Sequence, residues 1–540
     1  MSIDAGQRLE THDVAVVGAG FSGLYMVHRL REELGFDVIG IEAGSGPGGT
    51  WYWNRYPGAR CDSESFYYCY TFSEVLLKEW DWSSRYPEQP EILRYLEFVA
   101  DRLDLRRSFK FDTRVEAATW DDVNARWIIQ TSAGESLAAN YVVTAVGCLS
   151  AANVPDVPGR DDFEGEWYHT GRWPQEGVEF RGKRVAQIGT GSTGIQAAPV
   201  IAREADQLFV FQRTPNYTVP ARDRPMGREE WLEIKSDYDE VRRLTRESFA
   251  GFPYTPSSRS ALELTEEERN EVFEGLWAVG GFKFLWGGFY DLMLNEEANH
   301  TAAEFIRSKI RSVVKDPEVA ERLCPTDHPY GSKRPPIDTD YYETFNRDNV
   351  TLVDVSKGGI TRITPTGIET PEGHYEVDVI VFATGFDAMT GPLVRMTITG
   401  RDGVTLKEKW ADGPTSYLGL QVAGFPNLFT ITGPGSPSVL TNMPTSIEQH
   451  VEWIADCLAE LRARGQRVIE ASAEAEAAWV EHVAAVSSFG LFNRANSWYL
   501  GANIPGKKRV FMPYVGGLAN YRNRCDEVAT NDYEGFVRAG

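Results

Sequence analysis

Basic side chains, cysteine pairs and long apolar runs are all scarce in this chain, and each shortage removes a class of function. Lysine and arginine total 55 against 78 aspartates and glutamates, a formal net charge of −23. Neither nucleic acid nor an anionic membrane surface is therefore expected as the main partner, although local loops can still hold an anionic cofactor. The six cysteines (Cys61, Cys69, Cys148, Cys324, Cys457 and Cys525) form no C-x-x-C and no zinc spacing, which argues against a dithiol redox centre and supplies no metal site. No apolar run approaches the ~18–20 residues that a membrane helix needs. The opening MSIDAGQRLETHD is polar and acidic rather than signal-like, so a soluble cytoplasmic protein is the expectation. Low-complexity segments are also absent. What is present is globular: 42% hydrophobic and 25% charged residues are ordinary proportions. A chain of 540 residues exceeds one ordinary core, so two or three domains are expected.

Two stretches share one design. Val14–Val17 reads as a buried strand, GAGFSG supplies Gly18, Gly20 and Gly23, Leu24–Glu33 reads as a helix, and Val38–Ile41 forms a second strand ending on Glu42. In such a βαβ unit the first glycine permits the bend and the second lets backbone N–H groups approach a pyrophosphate. The third lets helix and strand pack closely, and the helix N-terminus favours the anion. The same pattern returns in the strand Arg184–Ile188 followed by Gly189, Gly191 and Gly194. Counting 24 residues from Gly18 reaches Glu42, and 24 from Gly189 reaches Arg213. A carboxylate suits free ribose hydroxyls, whereas a guanidinium can grip a 2′-phosphate with paired N–H donors. The first unit is therefore read as an FAD site and the second as an NADPH site. No further internal repeat is found.

Between and beyond these units the pattern changes. Residues 74–107 read as helical, with PEILRYLEFVADRLDL apolar at i, i+3, i+4 and i+7, and Phe109–Ala145 alternates as a meander. Proline-rich NVPDVPG marks a domain crossing. From Asp223 to about Cys324 the chain turns into charged helix-forming runs, with Ile306, Ile310 and Val313 at helical spacing. Lys333-Arg334 lies between a glycine turn and a proline pair, hence on a loop. VDVIVFATGFD reads as a buried strand, FTITGPGSPSVLTNM as a glycine- and proline-rich loop, and Ile447–Arg462 and Glu474–Val486 as amphipathic helices.

One stretch has no periodicity to explain it: Phe163-x-Gly165-x-x-x-His169-x-x-x-Trp173-Pro174. Taken alone, His169 reads more readily as a buried structural histidine, but a dinucleotide loop begins shortly after Pro174. The pattern resembles the fingerprint of the type I Baeyer–Villiger monooxygenases, and the resemblance runs from Val14 to about Phe536. It implies an α/β flavoprotein with two Rossmann-like dinucleotide-binding domains, for FAD and NADP, and a helical insertion in the NADP domain. The expected division is 1–150 and 386–540 for FAD, 151–222 and 325–385 for NADP, and 223–324 for the insertion. The implied activity uses NADPH and O2 to convert a ketone to an ester or lactone through a flavin peroxide.

Site residues follow from the same resemblance. Arg334 corresponds to the arginine that does the chemistry, Asp62 to the aspartate beside it, and Lys333 to a lysine on the NADP 2′-phosphate. The segment GPGGTWYWNRYPGARCDSES would lie along the flavin, so the FAD set is Gly18, Gly20, Ser22, Gly23, Glu42, Gly49, Thr50, Trp51, Trp53, Asp62, Tyr68 and Val115. The NADP set is Gly189, Thr190, Gly191, Ser192, Thr193, Gly194, Arg213, Thr214, Lys333 and Trp498. Trp498 lies in a family loop that folds over the nicotinamide and substrate. Cys148, Val439, Leu440 and Met443, with Trp498, suggest an apolar substrate pocket. The loop at Ser436–Leu440 has the length of phenylacetone- and steroid-type members, which implies bulky ketones. The rival readings are a flavin monooxygenase acting on nitrogen or sulfur, against which Trp173-Pro174 and Lys333-Arg334 argue, and a non-catalytic NADPH-binding redox sensor. Oligomeric state is left open.

Overall fold

A computed structural model describes residues 9–540. Strands β1 (Glu10–Val17), β2 (Val38–Ile41), β3 (Phe109–Lys110), β4 (Val115–Asp121), β5 (Arg126–Thr131) and β6 (Ser136–Thr144) begin the first sheet. β7 (Glu166–His169), β8 (Arg184–Ile188) and β9 (Gln207–Gln212) begin the second. The short strands β10 (Val219–Pro220) and β11 (Ile337–Asp338) pair with each other. The second sheet is then completed by β12 (Val350–Asp354). An antiparallel ribbon of β13 (Arg362–Thr364), β14 (Gly367–Thr370) and β15 (Gly373–Glu376) follows, and β16 (Val379–Phe382) rejoins the second sheet. β17 (Thr397–Thr399) and β18 (Leu428–Thr430) return the chain to the first sheet, while β19 (Val468–Ala471) pairs with β20 (Phe536–Ala539).

The first sheet has the order β17-β4-β5-β6-β1-β2-β3, with β18 alongside β6; the second, β12-β9-β8-β16-β7, is parallel throughout. β6 serves two neighbours on one edge, because its first half pairs antiparallel with β5 and its last residues pair parallel with β18. The central strands are short apolar runs with both faces covered, as parallel sheets require. Val14–Val17 of β1 and all of β2 and β16 are buried.

The chain passes between the sheets twice, and the two passages run side by side. Asn153 N–H donates to Gly385 O (3.0 Å), Asp387 N–H to Ala151 O (2.9 Å) and Met389 N–H to Cys148 O (2.8 Å). Each passage leaves the C-terminal end of a strand next to a glycine turn, the place where open α/β sheets bind ligands.

The region 223–324 forms the helices Arg228–Ser236, Tyr238–Glu247, Glu266–Val279, Lys283–Trp286, Glu296–Val313 and Pro317–Leu323. Ile306 and Ile310 are fully buried on one face of their helix. Residues 74–107 depart from the periodic reading: helices cover Glu74–Glu79 and Gln89–Arg102 but not the stretch between. There Arg85 N–H donates to Arg224 O and Met226 N–H to Ser83 O, so the backbone is spent on pairing with the segment after β10. The Glu91 carboxylate takes the Ser83 N–H and hydroxyl.

The long helix Met443–Ala463 packs against the first βαβ helix, Phe21–His28. Its Glu448 accepts the N–H groups of Thr71 (2.5 Å) and Phe72 (3.1 Å), tying the aromatic segment to the helix. His450, two residues on, is fully buried; Nδ1 accepts the Thr432 N–H (2.9 Å) and Nε2 lies 2.9 Å from the Tyr521 hydroxyl. That hydroxyl already donates to Leu418 O, so Nε2 carries the imidazole proton and Nδ1 has none. Protonating Nδ1 would turn it against the Thr432 N–H. Burial lowers the His450 pKa to about 3.

The lowered pKa means the unfolded chain takes up this proton as pH falls below about 6.5 while the native chain does not, so stability is lost as pH falls through that window. At pH 5 the loss is about 2 kcal/mol from this residue. His450→Gln should be less stable than wild type at pH 7 yet lose less of its thermal midpoint between pH 7 and 5. Equal losses in the two proteins would show that His450 does not titrate on unfolding.

Candidate active site between two glycine cradles

In the first cradle Gly18 has φ +110° and a Cβ there would lie 2.5 Å from Ala145 O; a Cβ on Gly23 would lie 1.8 Å from Gly18 O. Gly20 backs directly onto Gly49, whose own φ is +53°. The helix Phe21–His28 starts at Gly20 with no side-chain cap, and Ser22 lies in its first turn. Its leading N–H groups are thus left for a ligand anion. Glu42, buried at the end of β2, accepts the N–H groups of Ala19 and Gly44 (both 2.7 Å) on separate oxygens. Burial raises its pKa and those two N–H groups pull it down. Each oxygen keeps a lone pair that a ribose hydroxyl could use.

Downstream, Gly49–Trp53 makes a short helical turn in which Trp51 is buried and Thr50 exposed. Trp51 Nε1 donates to the Tyr68 hydroxyl (3.2 Å). Val115 is a core residue at the start of β4, and it is the preceding segment that touches the cradle, through Thr113 N–H to Glu42 O (2.9 Å).

The second cradle repeats the first. Gly189 has φ +112° and a Cβ there would lie 2.4 Å from Ala383 O; one on Gly194 would lie 2.2 Å from Gly189 O. A Cβ on Gly191 would meet nothing within 4 Å beyond its chain neighbours, so the turn is open on that side, and the helix Ser192–Glu204 begins there without a side-chain cap. Thr190 donates its hydroxyl to Thr214 O (3.0 Å), closing the turn onto the end of β9. Thr193, half-buried, lies on the helix turn facing Tyr56, whose hydroxyl donates to Gln196 (2.7 Å).

Strand register does not put Arg213 opposite Glu42. Val17 pairs with Ile41 and Ile188 with Phe211, so the residue matching Glu42 is Gln212 and not Arg213. The second unit is one residue shorter between glycine and strand end. Gln212 is buried and donates to Arg322 O (2.7 Å), leaving a neutral group where the first cradle has its carboxylate. Arg213 sits one position further out, exposed. Its charge reaches Lys333: burial lowers the lysine pKa, Asp327 opposes this, and Arg213 lowers it further. Lys333 Nζ lies 3.7 Å from Asp327, and Arg213 stands near enough to add a second positive charge beside the lysine.

Arg334 joins the segment after the first cradle, at Asp62, to the segment after β9, at Asn216. Its Nε and Nη2 donate to the two oxygens of Asp62 (2.9 Å each) in a parallel fork, and Nη1 donates to Val439 O (2.7 Å). Its own carbonyl accepts from Asn216 Nδ2 (3.2 Å). About a quarter of the Arg334 side chain and a fifth of Asp62 remain accessible. Burial works against the arginine's charge, but the Asp62 charge and fork outweigh it and hold the pKa above its usual value. Tyr499 stands close enough for the cation to oppose the burial that pushes its phenol up to about 12. Neither this tyrosine nor the Val439 carbonyl has a sequence signal, because both meet Arg334 only through tertiary packing.

Cys148 and Val439 are buried in one apolar cluster, and the half-buried Leu440, Met443 and Trp498 pack against it. The Trp498 loop is anchored by Asn503 Nδ2 to Phe386 O (2.8 Å) and by Lys507 to Asp387 (2.6 Å). The fingerprint lies at the edge of the second sheet. Phe163 packs on its core, a Cβ at Gly165 would lie 2.4 Å from Asp378 O, and Trp173 is buried. His169 ends β7, accepts the Gly171 N–H at Nδ1 (3.0 Å) and meets the Phe386 ring edge-on. Burial, with Arg172 adding to it, lowers its pKa to about 4. It is a neutral brace beside the inter-sheet passage.

Two capless glycine turns at strand ends, each backed by the other half of a paired crossing, define a flavoprotein with two dinucleotide sites. The sequence profile of the family described as pyridine nucleotide-disulphide oxidoreductase matches residues 12–282. The chain has that fold without the C-x-x-C of disulphide chemistry. A Baeyer–Villiger monooxygenase of Pseudooceanicola batsensis is 46% identical over 97% of this chain and 96% of its own. A phenazine N-monooxygenase of Lysobacter antibioticus is 44% identical over 98% and 97%. The solved structure of an oxidised steroid monooxygenase bound to NADP superposes with a TM-score of 0.93 at 53% identity, covering 98% of this chain and 99% of that one. The chain belongs to the Baeyer–Villiger monooxygenase family of FAD- and NADP-dependent oxidoreductases.

Asp62→Asn replaces one acceptor of the fork with a donor that opposes the guanidinium. Losing a charge-assisted contact of this kind costs ~1.5–3 kcal/mol. The variant should retain flavin, while product formed per NADPH consumed falls about 10- to 100-fold. Product yield unchanged from wild type would show that the fork does not position Arg334.

Proposed function

We propose that this chain binds FAD in the first cradle and NADPH in the second and converts bulky ketones to esters or lactones with O2. The single observation that carries the reading is Arg334, forked to Asp62 and bonded to the carbonyl of Val439 in the apolar cluster. The corresponding division assigns 1–150 and 386–540 to FAD, 151–222 and 325–385 to NADP, and 223–324 to the insertion.

Bound FAD, once reduced by NADPH, supplies the oxygen-activating chemistry; the chain supplies orientation and charge. Gly18, Gly20, Gly23 and the helix start behind them suit the FAD pyrophosphate, and Glu42 its ribose. Gly189, Gly191 and Gly194 serve the NADP pyrophosphate in the same way. Arg213 and Lys333, two neighbouring cations, suit a 2′-phosphate. Arg334 keeps its charge at every working pH, so it can stabilise the negative charge that develops on the carbonyl oxygen of the ketone. Asp62 fixes the guanidinium plane and tempers its charge. Trp498 and its loop would exclude water.

The bulky-ketone reading rests on the length of the Ser436–Leu440 loop, which joins the apolar cluster through Val439 and Leu440. The relative named for N-oxidation stands at nearly the identity of the one named for Baeyer–Villiger chemistry. Oxidation of an aromatic nitrogen is therefore the second reading, and overall likeness does not separate the two.

A panel of aryl, fused-ring and small cyclic ketones, with amines and N-heteroaromatics alongside, should give esters from the bulky ketones by mass spectrometry. N-oxides without esters would establish the second reading, and turnover of small cyclic ketones alone would overturn the assignment of substrate size. Arg213→Ala and Lys333→Ala should each raise the Michaelis constant for NADPH about 10- to 100-fold, the effect of one charge-assisted phosphate contact. The constant for NADH should change little. An unaltered preference between the two nucleotides would remove both residues from the phosphate site.

A further inference from the structure

Arg334 is gripped at its edge by Asp62 and Val439, and its guanidinium also lies over an aromatic ring. The guanidinium carbon lies 4.9 Å from the centre of the Phe282 ring, which is itself almost fully buried. A cation over an aromatic face is attracted by the ring's quadrupole, and arginine stacks there in preference to lysine. The ring is thus a further contact on the guanidinium, beside the fork and the Val439 carbonyl.

Phe282 cannot choose its own place, because it follows Gly280 and Gly281, which both have positive φ (72° and 65°). A Cβ on Gly281 would lie 2.0 Å from the Tyr86 hydroxyl and 3.9 Å from a Glu64 oxygen. This Gly-Gly turn is pressed onto a buried polar cluster. Glu64 accepts from Arg85 Nη2 (3.0 Å) and from the Tyr254 hydroxyl (2.5 Å), and Arg85 Nη1 donates to Val279 O (2.8 Å), one residue before the turn. Phe252 stacks on Tyr254 and also contacts Phe282, at ring separations of 5.6 and 5.7 Å. A second oxygen of Glu64 and the Tyr86 hydroxyl are buried without a partner among the described residues. Glu64 also lies two residues after Asp62, so one short segment holds Arg334 directly through the fork and, through the turn, meets the ring beneath it.

We propose that Phe282, set in place by the Glu64–Arg85–Tyr86–Tyr254 cluster through the Gly280-Gly281 turn, is a positioning residue that holds the plane of Arg334 for oxygen insertion. The inference rests on the reading of Arg334 given above and adds the residues that keep it aligned.

The test uses the purified flavin-loaded enzyme and a ketone that the wild type turns over. Phe282→Leu removes the ring face but keeps apolar bulk. It should lower ester formed per NADPH consumed by roughly 2- to 30-fold, the span of cation–π contacts expressed as a rate ratio. Flavin reduction by NADPH without oxygen, and the Michaelis constant for the ketone, should stay within about twofold. Phe282→Tyr restores a ring face and should recover most of the coupling. Glu64→Gln, which touches neither Arg334 nor Phe282, should lower coupling in the same direction by a smaller factor, and it serves as the test should Phe282→Leu yield no folded holoenzyme. Coupling unchanged in these variants would overturn the proposal. So would a raised ketone Michaelis constant at full coupling, which would make Phe282 a substrate contact, or an equal fall in both half-reactions with the thermal midpoint, which would make its role structural. Arg334→Ala is run beside them. If it retains ester formation, the reading of Arg334 itself fails; if it loses ester formation while Phe282→Leu does not, only the present proposal fails.

Discussion

The fork between Asp62 and Arg334 is the contact on which the site depends, because it joins two distant parts of the chain through an oriented charge. Asp62 belongs to the segment that leaves the first glycine cradle, and Arg334 to the loop that returns from the helical region toward the second sheet. Two N–H···O bonds of 2.9 Å in one plane fix both position and orientation, which a single point-charge contact would not. A buried ion pair of this kind contributes little to stability, since desolvating two charges offsets much of their attraction. Its presence at the junction is better explained by what an oriented, permanently charged guanidinium can do there.

Around that contact the architecture is a duplication. In each half the first glycine of the turn is pressed against a carbonyl at the end of the neighbouring strand, Ala145 or Ala383. Those carbonyls begin the two passages that run paired between the sheets. The geometry of a cradle and the geometry of the crossing are thus set by the same few atoms. Strain at either glycine would be felt at both, which is why a side chain at Gly18 or Gly189 is excluded twice, by positive φ and by contact. His169 and Phe386 brace the same passage, and Asn503 and Lys507 fasten the Trp498 loop to it.

How much of this could be read from residues alone varies with the range of the interaction. Strand, glycine turn and helix are local, so β1, β2, β8 and both turns lie where hydrophobic runs and glycine spacing put them. The long helices after Asp223 follow from apolar spacing for the same reason. Residues 80–88 do not, since their backbone pairs with residues 224–226, far along the chain. Counting residues from Gly189 chose Arg213, and strand register chose Gln212; a count cannot see that one loop is a residue shorter. Asn427 illustrates what sequence hides entirely. It is fully buried with φ +58°, and its amide donates to Asn140 O and Arg467 O while accepting from Ile469 N–H. Three segments are stitched by one side chain that, in sequence, looks like a turn residue. Lys333-Arg334 was legible as a functional pair only through family likeness, and the partners of Arg334, Val439 O and Tyr499, only through the fold.

The central claim is that Arg334 serves the oxygen-inserting half of the cycle and not the hydride transfer that precedes it. Stopped-flow absorbance on Arg334→Ala separates the halves: the flavin is first reduced by NADPH without oxygen, then mixed with oxygen and ketone while product is quantified. The account predicts that the flavin is still reduced and that it returns to the oxidised form on mixing. Ester should fall by ~10²–10³, as for loss of one preorganised electrostatic group, and hydrogen peroxide should account for the NADPH consumed. Ester formed at close to the wild-type rate would contradict it and place the decisive charge elsewhere.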